Sequence, residues 1–283
     1  MSVNTYAPKT MPELSAALGA LTPESKIIGG GTDLIIKLTQ GTCTPDALLY
    51  LGELEGAQDI IETSEGLEIG AMATMTALAE CPFLTGPYAA IGHAAVDVGA
   101  WQIRNRATIG GNLANASPAG DLAPALFLLN AEVLIAGPGG TRREPIDKVI
   151  LGPMKTSLQF NEAIVRFFIP RVPSQTAKSA FIKLGYRKAL TISRIGLAAM
   201  LDVDENGVTT QFELIAGAIS LTPVHVKKAE TYLIGKKPSQ ADAAQVGQFL
   251  SDLILEITPE IFDRDYKVEA AFGVTEDLFA KLI

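Results

Sequence analysis

Two hydrophobic periods run along this chain, one helical and one alternating, and the switches between them mark its elements. Residues 11–20 (MPELSAALGA) space their apolar positions as a short amphipathic helix. Pro23 separates that helix from a strand, SKII, which runs into Gly29-Gly30-Gly31-Thr32-Asp33 and then a helical LIIKL. Short strand-like runs follow at ALLYL (47–51), DIIE (59–62) and LEIGA (67–71). Helical stretches are predicted at 76–80 and 87–98, then a glycine- and asparagine-bearing loop, TIGGNLANASPAGD, and a helix over 122–129. EVLIA and TRREP flank Gly137-Pro138-Gly139-Gly140 as a hairpin, and AIVRFFIP (163–170) reads as a strand closed by proline. The polar, proline-containing RVPSQTAK (171–178) is the best candidate for a domain boundary.

Beyond it the pattern changes. SAFIKLGYR, SRIGLAAMLDV and VTTQFELIAGAI read as three strands. A helix with Thr222 as N-cap and Pro223 at its first position is expected to end at Gly235. Another spans about 239–256, and a last one runs from near Asp265 to the end. Strands followed by helices, without strict alternation, indicate an α+β chain.

Composition narrows the function. In 283 residues, 48% are apolar and 19% charged, which describes a well-cored globular chain. A net charge of -8 argues against nucleic-acid backbones and anionic membranes as partners. The first residues lack the basic-then-apolar pattern of a secretory signal, and no apolar run is long enough to span a bilayer, so a cytoplasmic location is expected. Asn115-Ala116-Ser117 matches a glycosylation acceptor, a chance match in a chain read as non-secreted. Cys43 and Cys81 are too few for a cysteine-ligated iron–sulfur cluster and read as reduced thiols.

The candidate chemistry lies in two glycine turns. In KIIGGGTDLIIKL the turn amides can face an anion and the following helix adds its dipole, although a purely structural turn fits equally well. The dinucleotide fingerprint fails because Leu34 occupies the third glycine position, and Lys37 lies too late for a triphosphate loop. In the second stretch Gly110 and Gly111 permit close backbone approach, while Asn112, Asn115 and Ser117 offer neutral hydrogen-bond groups. Asp121 can accept from a sugar hydroxyl or cap the helix at Leu122. Arg104 and Arg106 either compensate phosphate charge or flank a helix end, and Lys183 is either a solvated strand residue or a cation near a ligand.

Other candidates are weaker. DVDENGVTTQFE (202–213) satisfies the EF-hand loop pattern, but its flanks read as strands and Asp-Glu-Asn-Gly as a hairpin turn. His93 and His225 belong to no ligand spacing and read as packing or surface histidines, the latter in a first helical turn. Neither a catalytic residue nor a metal ligand is assigned.

Taken in order, IIGGGTDLIIKL, IGAMATMTAL, QIRNRATIGGNLANASPAGDLAPAL and SAFIKLGYRKALTIS resemble the FAD-binding medium subunit of molybdenum hydroxylases, of the xanthine dehydrogenase and carbon monoxide dehydrogenase type. The resemblance covers essentially the whole chain. It implies a two-part FAD-binding domain of the vanillyl-alcohol-oxidase (PCMH) type, with subdomains 1–55 and 56–174, followed by a C-terminal α+β domain over 175–283. FAD is the implied cofactor. By the same resemblance Ile27, Ile28, Gly29, Gly30, Gly31, Thr32 and Asp33 would wrap its pyrophosphate, and Thr108, Ile109, Gly110, Gly111 and Asn112 would complete the cradle. Ser117 and Asp121 would contribute polar contacts, Asp121 to an FAD hydroxyl, and Ile164 and Lys183 stand where the family touches flavin or adenine.

The implied function is electron transfer. An iron–sulfur small subunit and a molybdopterin-binding large subunit would be partners, with NAD⁺ or another acceptor taking the electrons. Two competing readings are a stand-alone flavin oxidase or dehydrogenase and a non-redox nucleotide-binding assembly subunit. A resident flavin fits the absence of a declared general base, because the cofactor carries the redox chemistry and the protein binds and orients it.

Overall fold

Thr10 starts the first helix by accepting the Glu13 amide on its hydroxyl, and Pro12 sits where a missing N–H is harmless. The helix, Met11–Gly19, buries Leu14, Ala17 and Leu18. The computed structural model that shows this describes residues 3–174, 176–187, 190–258 and 263–283. Gln175, Lys188 and Ala189, which fall within quoted stretches, lie outside the described residues.

The chain forms two compact units, the first comprising Met1–Ala77, Ala100–Ala116 and Asn130–Arg171, the second Leu78–Gly99, Ser117–Leu129 and Val172–Ile283.

Among the described residues the first unit holds two larger sheets and a two-stranded hairpin, Ile150–Gly152 with Lys155–Thr156. In a three-stranded parallel sheet Ala47–Tyr50 lies between Asn4–Tyr6 and Lys26–Ile28. An antiparallel five-stranded sheet runs in the order Ile60–Thr63, Gly66–Gly70, Ala163–Pro170, Glu132–Gly137, Gly140–Pro145. Leu14, Leu18 and Leu49 share one apolar cluster with Ala163 and Val165, which ties the small sheet to the central strand of the large one. The predicted hairpin is present, with Gly137 paired to Gly140 across Pro138-Gly139.

The second unit is an antiparallel meander of Lys178–Leu184, Ile195–Val203, Thr209–Gly217 and the short Val224–His225. Helices Lys227–Leu233, Asp242–Ile257 and Arg264–Leu282 cover its apolar side in one cluster. Helices Ala89–Asp97 and Leu122–Leu128 also pack on its strands. The two longest helices approach so closely that a Cβ on Gly247 would lie 2.9 Å from the Phe272 Cα.

Two sequence expectations change. The residues after Thr222 do not start a helix: Val224 and His225 pair with Ala216 and Ile215, and helix begins only at Lys227. Sheet pairing there overrides the local Thr-Pro signal. The stretch expected as a loop after Thr108 is instead a seven-residue helix, Ile109–Asn115, preceded by a short helical turn, Trp101–Arg104.

Candidate functional site

Strand Lys26–Ile28 delivers the first glycine turn at its C-terminal end. Gly31 takes φ +76°, a left-handed conformation that glycine adopts without penalty. Among the described residues, none of the amides of Gly29, Gly30, Gly31, Thr32 and Asp33 finds a protein acceptor. Asp33, at the N-cap position, gives no side-chain cap. The following helix, Leu34–Thr39, is only six residues long and buries none of them, so the donor row rests on the turn itself more than on a helix dipole. Successive unpaired backbone N–H groups in a turn form an anion-binding concavity.

The second glycine stretch behaves differently. Thr108, 3% exposed, caps its helix by accepting the Gly111 amide at 3.1 Å. The Ile109 amide donates to Ala73 O, Gly110 to Ala71 O and Asn112 to Thr108 O. A Cβ on Gly110 would fall 2.7 Å from that of Ala71, so this glycine serves chain packing. Ile109 is fully buried. The amides of Ile109 to Asn112, four of the five expected to complete the cradle, are therefore engaged within the protein.

The structure does bring the two turns together. A Cβ on Gly30 would sit 1.7 Å from Arg106 O, and one on Gly29 2.9 Å from the Thr108 hydroxyl. Beside them opens a cavity of about 250 Å³ lined mainly by apolar atoms, with Ile27, Gly29, Thr108, Gly110, Gly111 and Ile164 in its wall. Ile28, Gly30 to Asp33, Ile109 and Asn112 are not among its lining residues. Sequence reasoning missed the opposite wall, Leu158, Gln159, Phe160, Glu162 and Ala163. The signal available for it was the pair Leu158 and Phe160 in the short connection SLQFNE between two strands.

Within the second unit, two residues singled out separately meet each other. Lys183 Nζ donates to Asp121 Oδ2 at 2.7 Å and to Asp97 O at 3.0 Å, and Ser193 Oγ donates to Asp121 Oδ1 at 2.5 Å. Both charged side chains are 7% exposed, so Lys183 is not a solvated strand residue. The Asp121 side chain makes no cap bond, contrary to its helix-capping reading. Burial pushes its carboxyl above the usual range, opposed by the Lys183 ammonium and the Ser193 hydroxyl. Ser117 lies in the same unit, partly exposed, and its carbonyl accepts the Gly120 amide.

The remaining candidates take structural places. Asp204 binds the amides of Asn206 and Val208 inside a hairpin flanked by strands, which is not the helix-flanked geometry of an EF-hand. His225 lies on the short edge strand and pairs with Glu230 at 2.7 Å. His93 is on helix Ala89–Asp97, with its Nδ1 buried and lacking a partner, and burial lowers its basicity. Cys43 and Cys81 are free thiols. Among the described residues no helix is long and apolar enough to cross a membrane.

Residues 1–172 match the model of the FAD binding domain in molybdopterin dehydrogenase, and residues 180–280 that of the CO dehydrogenase flavoprotein C-terminal domain. The chain belongs to this flavoprotein family. It is 33% identical over 282 residues to the nicotinate dehydrogenase FAD-subunit of Eubacterium barkeri, covering 98% of this chain and 95% of that one. It is 34% identical over 209 residues to a xanthine dehydrogenase FAD-binding subunit of Escherichia coli O157:H7, covering 74% and 71%. A carbon monoxide dehydrogenase structure from Hydrogenophaga pseudoflava superimposes with a TM-score of 0.87 at 24% identity, over 100% of this chain and 97% of that chain, and so shows the shared fold.

The family chain is an FAD-containing oxidoreductase subunit, with FAD as its cofactor. The residues in hand fit such a cofactor. A row of unpaired amides suits a diphosphate, and the adjoining apolar cavity suits a flat ring system.

Proposed function

We propose that this chain is the electron-transfer subunit of a multi-subunit molybdenum hydroxylase. An iron–sulfur small subunit and a molybdopterin-binding large subunit are its partners, and NAD⁺ or another acceptor takes the electrons. The row of acceptor-free amides from Gly29 to Asp33 beside an apolar cavity is the observation that carries the reading. These amides would hold the FAD pyrophosphate, and Ile27, Thr108, Gly110 and Ile164 would exclude water from its neighbourhood. The bound flavin supplies reversible one- and two-electron chemistry, while the protein's part is binding and orientation. We assign residues 1–55 and 56–174 to two FAD-binding subdomains and 175–283 to the C-terminal domain.

Relatives bearing FAD-subunit and medium-chain names in nicotinate and carbon monoxide dehydrogenases support the partner assignment. The test is spectroscopic. The chain, incubated with FAD and desalted, should retain flavin absorption bands. Those bands should bleach when the partner subunits and their reductant are added, and return on adding the acceptor. Bleaching by a small-molecule substrate with no partner present would indicate a stand-alone dehydrogenase. A chain that rejects FAD would leave the non-redox assembly reading.

A further inference from the structure

The cavity beside the glycine turns has one wall that the strands do not build. It is the connection from Ser157 to Glu162, between the short hairpin strand Lys155–Thr156 and the central strand Ala163–Pro170. This connection closes on itself through the Glu162 carboxylate. Glu162 Oε2 accepts the Gln159 amide at 2.9 Å, and the Glu162 amide donates to Gln159 O at 3.1 Å. Phe160 stands at the bend, lining the cavity while 46% exposed.

Behind the wall, on strand Gly140–Pro145, Arg142 grips the same carboxylate with two donors. Nε reaches Glu162 Oε1 at 3.0 Å and Nη2 reaches Oε2 at 2.9 Å. Its remaining amino group pairs with Glu144, whose carboxylate accepts the Ser157 hydroxyl at 3.2 Å. Both ends of the connection are thus fastened to one strand of the sheet. The Glu162 side chain is 15% exposed and Arg142 holds its carboxyl below the usual range, so the pair is half-shielded and ionised at neutral pH. A planar two-donor fork fixes direction as well as distance, which a lysine ammonium does not.

We propose that Arg142 and Glu162 are positioning residues for the cofactor cavity: their fork sets the 157–162 connection so that Phe160 presents its ring to the FAD bound on the glycine turn. This rests on the function proposed above and adds a specific wall and the device that holds it. Arg142 does not line the cavity and acts through the connection, while Glu162, itself part of that wall, fixes the bend that carries Phe160.

The experiment measures FAD affinity by flavin fluorescence on the full chain at 20 to 25 °C, with melting temperature recorded in parallel. Phe160→Ala and Arg142→Ala should each weaken binding about tenfold, the loss expected from incomplete burial of one aromatic ring. The deciding variant combines them. In the Phe160→Ala background Arg142→Ala should lower the melting temperature as before but leave FAD affinity within about twofold, since the group it positions is gone. Arg142→Lys keeps the charge and loses the fork, and should fall between wild type and Arg142→Ala. FAD affinity that is unchanged in both single variants overturns the proposal. So does a double variant whose losses multiply, because Arg142 would then act on the whole unit and not through Phe160. Wild-type chain that fails to take up FAD overturns the underlying functional reading instead, and is distinguishable because no variant is needed to see it.

Discussion

The stretches 29–33 and 108–121 look alike as sequence and do opposite things as structure. Both are rich in glycine and small polar residues. In the first, the backbone donors from Gly29 to Asp33 find no protein acceptor among the described residues. In the second, the amides from Ile109 to Asn112 are taken up by Ala73, Ala71 and Thr108, and the Asp121 carboxylate at its far end is taken up by Lys183 and Ser193. Glycine therefore marks two different needs here. One turn leaves its backbone available to a ligand, and the other lets two pieces of chain lie against each other. Side-chain-poor sequence is a necessary condition for a cradle and not a sufficient one.

The largest expected effect breaks the far end of the second stretch. Asp121→Ala leaves the Lys183 ammonium buried without its partner, an arrangement that costs about 3–5 kcal/mol. Chemical denaturation should show that loss, and Asp121→Leu combined with Lys183→Met should recover most of it. A stability change below about 1 kcal/mol in Asp121→Ala would mean the carboxylate is not committed to this pair.

Next comes the seam between the turns. A methyl on Gly30 would meet Arg106 O at 1.7 Å, a backbone atom that cannot swing away. Gly30→Ala should destabilise the first unit by about 3 kcal/mol, the upper end of overpacking effects. If the variant melts like wild type but has lost FAD, then Gly30 belongs to the ligand and not to the seam. Thr108→Val is milder. It removes the cap on the Gly111 amide and should cost about 1 kcal/mol, with a matching drop in the denaturation midpoint. An unchanged midpoint would show that water replaces the cap.

Much of the fold was legible because strands announce themselves locally. AIVRFFIP buries Ala163, Ile164, Val165, Phe167 and Ile169, and Gly137-Pro138-Gly139-Gly140 turns as its composition demands. The first glycine turn was legible for the same reason, since a strand, a glycine run and a helical pattern are contiguous. The helix Ile109–Asn115 was not. Its glycines and asparagines are poor helix formers, and it is held by the Thr108 cap and by Ile109 and Leu113 entering the core. It even ends on Ala116 at φ +44°, where a sequence reader looks for glycine. The Asp121–Lys183 pair spans 62 residues, and nothing local couples its ends. The Phe160 wall was hidden because an exposed aromatic in a loop acquires meaning only beside the cavity it lines.

The smallest expected effect is the sharpest test of the contrast. Gly111 sits inside the helix Ile109–Asn115, exposed, and a methyl there meets only the Thr108 hydroxyl, at 3.0 Å. Alanine in a helix is favoured over glycine by about 0.5–1 kcal/mol, and the tight hydroxyl contact offsets part of that. Gly111→Ala should therefore change stability by less than about 0.5 kcal/mol, as ordinary surface substitutions do. If the amides of this helix are spent inside the protein, FAD affinity should also hold, whereas Gly31→Ala, which forces a side chain into φ +76° within the open donor row, should weaken it. Titrating FAD into both variants compares the two turns directly. Loss of FAD from Gly111→Ala at unchanged stability would show that ligand approaches this backbone as closely as the first, and the difference between the two turns would disappear.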